Sequence, residues 1–225
     1  MKVTQPAGAA TASGSMGGVT ASRNRYGAYM RNKAMPVNPR STLQIAQRNR
    51  FGGLSGVWST LTDVQRTAWE TYANALPRMD SLGVPIYPTG RNVFMGNNSL
   101  RLQAGLTTIL AGPSALSTPA LTLPTLTIVA GNSGSLAFTP SDSWDAVGGA
   151  LMLFTSKPVA PTRNFFKGAY RYANKVAGAA TPATSPATIT LPYTYASGQK
   201  VYWKAVALTA DGRVASYAYG FCLVS

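Results

Sequence analysis

Catalysis near neutral pH needs groups that titrate or hold a metal there, and this chain has few of them. It contains no histidine and one cysteine, Cys222, and its six acids are Asp63, Glu70, Asp80, Asp142, Asp145 and Asp211. Asp63 falls in the first turn of a predicted helix, where a carboxylate favours the helix dipole. Asp211 falls in a turn. Asp142 and Asp145 are the one close pair between predicted strands, and their spacing suits a two-carboxylate hydrolase or a Ca²⁺ site. The plainer expectation for both is a solvated loop. No phosphate-binding glycine loop, GxSxG elbow or HExxH helix occurs. With no histidine to activate it, Cys222 reads as a buried, inert thiol in an apolar C-terminal run. We therefore assign no catalytic residue, no cofactor and no metal ligand, and expect a protein that is not an enzyme.

What the chain does carry is positive charge. Twenty basic residues against six acids give a formal charge of +14. Between Arg23 and Arg50 stand Arg23, Arg25, Arg31, Lys33, Arg40, Arg48 and Arg50, with no acid among them. Such a field seeks an acidic protein face, nucleic acid or an anionic membrane surface. Six of these seven are arginine, the residue suited to two-pronged contact with carboxylate or phosphate. Together with Tyr26 and Tyr29 they form the candidate partner-contact set. Protein contact is the favoured reading. Nucleic acid is possible, since the tyrosines can stack bases, and a steep loss of DNA binding with salt would mark it. A second basic–aromatic group, Phe165, Phe166, Tyr170 and Tyr172 with Lys167, Arg171 and Lys175, is expected on a strand face.

Charged residues make up only 12% of the chain, while 45% are apolar. That is a globular composition with a poorly solvating surface, and it fits a protein whose faces are covered by neighbours, a homo-oligomer included. No apolar run is long enough to span a membrane. The first 18 residues lack the apolar stretch of a signal peptide, so synthesis in a cytoplasm is expected.

The elements that must position these groups fall into an α+β arrangement. Residues 1–40 read as an extended basic arm with a possible hairpin around Tyr26-Gly27, ended by Pro36-Val37-Asn38-Pro39. Residues 41–111 read as a helical domain. Its first helix, over 41–60, is capped by Ser41 or Thr42 and carries Leu43, Ala46, Phe51, Leu54, Val57, Trp58 and Leu61 at three- and four-residue spacing. Gly52-Gly53 weaken its middle, and close approach of another backbone is one reason to keep them. Thr62-Asp63-Val64-Gln65 is a capping box opening the second helix, whose apolar face is Val64, Ala68, Trp69, Tyr72, Ala73 and Leu76. A short strand at 84–87 and a third helix over 89–103, stopped at Gly105, follow. Residues 112–124 are a Pro-rich linker.

From 125 to 225 the texture becomes β. Strands are expected at 126–129, 135–139, 150–155, 169–176, 187–191, 200–209 and 213–224, separated by Gly, Pro and Asp-Gly turns. Seven short strands argue for a β-sandwich. The stretch VYWKAVALTADGRVAS resembles the final hairpin of fibronectin type III-like domains. The early strands lack a clear tryptophan, so another immunoglobulin-like variant stays open.

The N-terminal third carries a resemblance of its own. Ser22-Arg23-Asn24-Arg25-Tyr26-Gly27, Pro36-Val37-Asn38-Pro39, Gln47-Arg48, Trp58, Leu61-Thr62, Gln65-Arg66 and Trp69, followed by Gly90-Arg91-Asn92-Val93-Phe94, are similar to structural proteins of tailed-bacteriophage and prophage virions. The resemblance implies a virion component, associated with capsid, neck or tail, that assembles through its basic arm onto acidic virion proteins and displays the sandwich. A DNA-contacting virion protein and a host-receptor or glycan-binding module are the alternatives. Glycan binding predicts exposed aromatic rings on one face of the sandwich.

Overall fold

A computed structural model describes residues 2–3, 12–25, 27–80, 82–140 and 142–225. The chain divides into two compact units, residues 1–45 and 46–225.

The first unit is an antiparallel meander in the order β1 (Lys2–Val3), β2 (Ala12–Met16), β3 (Val19–Asn24), β4 (Gly27–Asn32). The hairpin expected around residue 26 is therefore present. Residues 12–16, expected as irregular arm, pair instead with β3, because Gly17-Gly18 supply a two-residue turn with Gly17 at φ 55°. The register sets Ala21 opposite Met30, and Thr20 opposite Arg31. Side chains alternate across a strand, so Met16, Val19, Ala21 and Met30 share one face and enclose a depression of about 220 Å³. Tyr29 and Arg31 take the other face.

The second unit begins with helix packing. α1 (Thr42–Thr60) is capped by Ser41, whose Oγ accepts from the Gln44 amide at 3.4 Å while Gln44 Oε1 accepts from the Ser41 amide. α2 (Asp63–Ala75) opens on the expected capping box: Thr62 Oγ1 accepts from Gln65 N at 3.3 Å and Gln65 Oε1 from Thr62 N at 3.0 Å. A short ladder of β5 (Arg78–Met79) and β6 (Pro85–Ile86) leads to α3 (Gly90–Gln103). Gly105, at φ 67°, lets Leu106 N reach back to the Arg101 carbonyl and close the helix. Leu54, Leu61, Trp69, Tyr72, Val93 and Phe94 make the core of the three helices, with Trp69 edge-on to Phe94. At the crossing of α2 and α3, a Cβ on Gly90 would stand 2.6 Å from the Glu70 amide nitrogen, so only glycine permits that approach.

Gly52 and Gly53 are a different case. Nothing lies within 4 Å of a Cβ built on either, so no backbone packs there. Replacing each by alanine is expected to stabilise the protein by about 1 kcal/mol. Thermal unfolding of G52A and G53A would show it as a raised midpoint. The apolar pattern of α1 is likewise used only in part: Leu54, Val57 and Trp58 join the core, whereas Leu43 and Phe51 are exposed.

Seven strands follow: β7 (Thr125–Ile128), β8 (Gly131–Ala137), β9 (Ala150–Thr155), β10 (Arg171–Ala177), β11 (Ala187–Tyr195), β12 (Lys200–Leu208) and β13 (Ala218–Leu223). They form a three-stranded sheet, β11-β8-β7, and a four-stranded sheet, β10-β9-β12-β13, both antiparallel. Leu126, Leu136 and Ile189 of one sheet share a core with Leu151, Leu153, Val201 and Trp203 of the other, so the two pack face to face as a sandwich. The last strand starts later than expected. After Leu208 bridges Val214, one extra residue intervenes before Ala205 pairs with Ala218. Gly220 is required here, since a Cβ would stand 2.3 Å from the Trp203 ring.

The helices and the sandwich are joined by polar side chains of α3. Arg101, 2% exposed, donates from Nε to the Thr107 carbonyl at 3.0 Å, from Nη1 to Thr209 at 2.8 Å and from Nη2 to Gly148 at 3.1 Å. Asn97 Nδ2 donates to the Gly212 carbonyl, and Asn98 exchanges two bonds with the backbone of Ile109. Beside them, Ala104, Leu100 and Leu106 cover Met152, Phe154, Val206 and Leu208 on the outer face of the four-stranded sheet. The Pro-rich segment 112–124 is pinned as well: Gly112 lies against the backbone of Ala68 and Trp69, and the Thr122 amide donates to Asp142.

Candidate interaction surfaces

The partner-contact set does not gather at one point. Arg23 and Arg31 fall on opposite faces of the meander, because Arg23 sits in phase with Ala21 and Arg31 pairs with Thr20. Arg25 stands at the turn between β3 and β4, and Tyr26 lies outside the described residues. Only Tyr29 and Arg31 share a strand face. Lys33 follows β4, its amide bonded to the Gly18 carbonyl. Arg40 adopts φ 48° just before α1, its amide donating to Asn38 Oδ1. Arg48 and Arg50 lie on α1, and Arg50 donates to Gln47 Oε1 at 3.1 Å. Arg23, Arg25, Tyr29, Arg31, Lys33, Arg40 and Arg48 are exposed, and Arg50 is half-buried.

Five of the six carboxylates have structural work. Asp63 pairs with Arg66 at 3.2 Å. Asp80 Oδ1 accepts from the amides of Leu82 and Val84 and closes the turn between β5 and β6. Asp142 takes the amide and hydroxyl of Thr122. Asp145, expected in a solvated loop, is buried and accepts from the Ala183 amide at 3.0 Å, because it ties two connections of the sandwich together. Burial pushes the Asp211 carboxyl up. Hydrogen bonds from Thr209 and from Arg213 outweigh this and hold it below the usual range. Among the described residues no three His, Cys, Asp or Glu side chains converge as a metal site would require. Burial pushes the half-buried Cys222 thiol up to about 11. No helix among the described residues is long and apolar enough to cross a membrane.

A cleft of about 570 Å³ opens beside α3, lined among others by Phe51, Tyr72, Arg78, Gln103 and Tyr217. It offers no acid–base pair.

The second basic–aromatic group is only partly a strand face. Tyr172 lies on β10, whereas Phe165, Phe166 and Tyr170 belong to the β9–β10 connection, and Arg171 turns to the ring of Tyr193. Phe166 and Tyr170 join a larger surface that the sequence reading did not assemble. On β12, Lys200, Tyr202 and Lys204 point outward, opposite Leu223, Phe221 and Tyr219 of β13. Phe166 stacks on Tyr202 with 5.6 Å between centroids, and Tyr202 touches Phe221. The Lys200 ammonium sits 4.3 Å from the centre of the Phe221 ring and donates to the Arg163 carbonyl. The Lys204 ammonium lies over Phe154, Tyr170 and Tyr217, nearest the last at 4.5 Å. Burial among these rings lowers its pKa. The signal was present as period-two runs, Lys-x-Tyr-x-Lys at 200–204 and Tyr-x-Tyr-x-Phe at 217–221.

No family model matches the chain, and no curated protein matches it. Among solved structures, the fibronectin type-III domain of human fibronectin type III domain containing protein 3 is similar to it at 15% identity, over 51% of this chain and 94% of that one, with a TM-score of 0.30.

Proposed function

We propose that this chain is a non-catalytic structural subunit of a tailed-bacteriophage virion, docked through its cationic N-terminal segment onto an acidic face of a neighbouring subunit and displaying a β-sandwich of the fibronectin type III kind. The observation that carries the reading is the acid-free run from Arg23 to Arg50, exposed wherever it is described apart from half-buried Gly27, Ala46, Gln47 and Arg50. Exposed cations in a stretch of sequence that holds no acid favour an acidic external partner. The engagement of Asp63, Asp80, Asp142, Asp145 and Asp211 in pairs, turns and loop ties supports a scaffolding role over a catalytic one. The type of sandwich is supported by its strand order: the first, second and fifth strands form one sheet and the third, fourth, sixth and seventh the other.

Deletion of residues 1–40 is the test. Particles assembled with the truncated chain are expected to lack it, while the purified truncation keeps the far-UV spectrum and unfolding cooperativity of a folded β-protein. Incorporation at the normal copy number would overturn the proposal.

A further inference from the structure

The outer face of the four-stranded sheet has an open half, beyond the part covered by Leu100, Ala104 and Leu106 of α3. There Tyr219 is 59% and Phe221 60% exposed, side by side along β13. Large rings exposed in a contiguous row mark a binding surface more often than idle solvent contact. Lys200 and Lys204 flank them. Neither ammonium has a carboxylate at ion-pair distance among the described residues: Lys204 rests on ring faces, and Lys200, 8% exposed, rests on the Phe221 ring and donates to the Arg163 carbonyl. A cation held this way is partly desolvated and still uncompensated, so an arriving anion gains more from it than from a lysine in free solution.

The geometry points to a carboxylate-bearing polysaccharide of sparse charge as the ligand of this face: we propose that sugar rings lie on Tyr219 and Phe221 while acidic groups meet Lys200 and Lys204. The two lysines are four residues apart on one strand, hence about 13 Å. Such spacing suits a polymer with a charge on one ring in two or three. A single-stranded nucleic acid carries a phosphate on every residue and needs cations along its whole track. The nearest arginine cannot provide them, since Arg163 is turned onto Phe165 and Phe166 and donates to the Phe165 carbonyl. A second copy of this chain is disfavoured because it would bring a formal charge of +14 to a cationic face. The proposed site uses none of the N-terminal cations, so docking into a particle and sugar binding can fail separately.

Affinity electrophoresis and calorimetry of the full chain with hyaluronan, which has one carboxylate per disaccharide, would test this. Dextran, oligo(dT) and polyglutamate are the comparison ligands. Hyaluronan is expected to bind most tightly. Y219A/F221A, which alters only exposed rings, and K204Q are each expected to weaken it about tenfold. R23Q/R25Q/R31Q is expected to leave it within about twofold, since those cations are not among the residues that build the face. Unchanged unfolding midpoints establish that the ring variant is folded. Equal binding by Y219A/F221A and the parent, no binding of hyaluronan, or tighter binding of dextran, oligo(dT) or polyglutamate would each overturn the proposal.

Discussion

Replacing Arg101 by methionine is expected to destabilise the protein by roughly 3–5 kcal/mol, read from the midpoint and slope of urea unfolding. Methionine fills much of the volume but supplies no donor: the carbonyls of Thr107 and Gly148 lose the guanidinium, and the carbonyl of buried Thr209 keeps only the Gly212 amide. Hydrogen bonds from a charged donor are each worth about 1.5–3 kcal/mol, and three are lost together. Burial lowers the pKa of Arg101, with Asp211 acting in the opposite sense, and the guanidinium remains charged at neutral pH. Lysine is no remedy, since one ammonium cannot reproduce a planar fork. A loss below about 1 kcal/mol for R101M would show that the fork does not hold the joint.

Trp69→Ala is the second large effect, again roughly 3–5 kcal/mol. The indole is fully buried, edge-on to Phe94 and Tyr72, and its Nε1 donates to the Leu110 carbonyl at 3.0 Å. Truncation opens a cavity between α2 and α3 and frees the 107–111 segment from the helix beneath it. Trp69→Phe separates the two contributions: it keeps a ring in the cavity and removes only the donor, for an expected cost of about 1–2 kcal/mol. If the two variants unfold at the same urea concentration, packing at this site is not what stabilises it.

These two residues also show what a single sequence can and cannot convey. Trp69 was legible because it falls on the helical period set by Val64, Ala68, Tyr72 and Ala73, and the Thr62–Gln65 cap phases that period from its first turn. The sandwich strands were legible for the same reason, with a period of two. Arg101 was not. Periodicity finds apolar residues that seek each other, whereas Arg101, Asn97 and Asn98 seek backbone carbonyls and amides far off in sequence, whose positions only the fold defines. The ragged start of β13 was hidden in the same way, because Ser216 and Tyr217 are ordinary strand residues and the extra residue arises from the pairing. The lysine–aromatic face was half legible: each strand showed its alternation, but only the register of β12 with β13 sets Tyr202 opposite Phe221. The cations of the N-terminal run were legible as a composition. Their division between two faces of the meander was not, since it depends on the register of β3 with β4.

The guanidinium of Arg101 grips three stretches of chain: the end of its own helical layer, the β9 approach and the turn after β12. A pivot at the proline-rich crossing would have to break the two grips on the sandwich, at Gly148 and Thr209, together. The sandwich therefore behaves as a bracket bolted to the helices rather than as a pennant on a cord. Whatever holds the helices also aims the sandwich, and in a symmetric array every copy would point its outer sheet at the same angle.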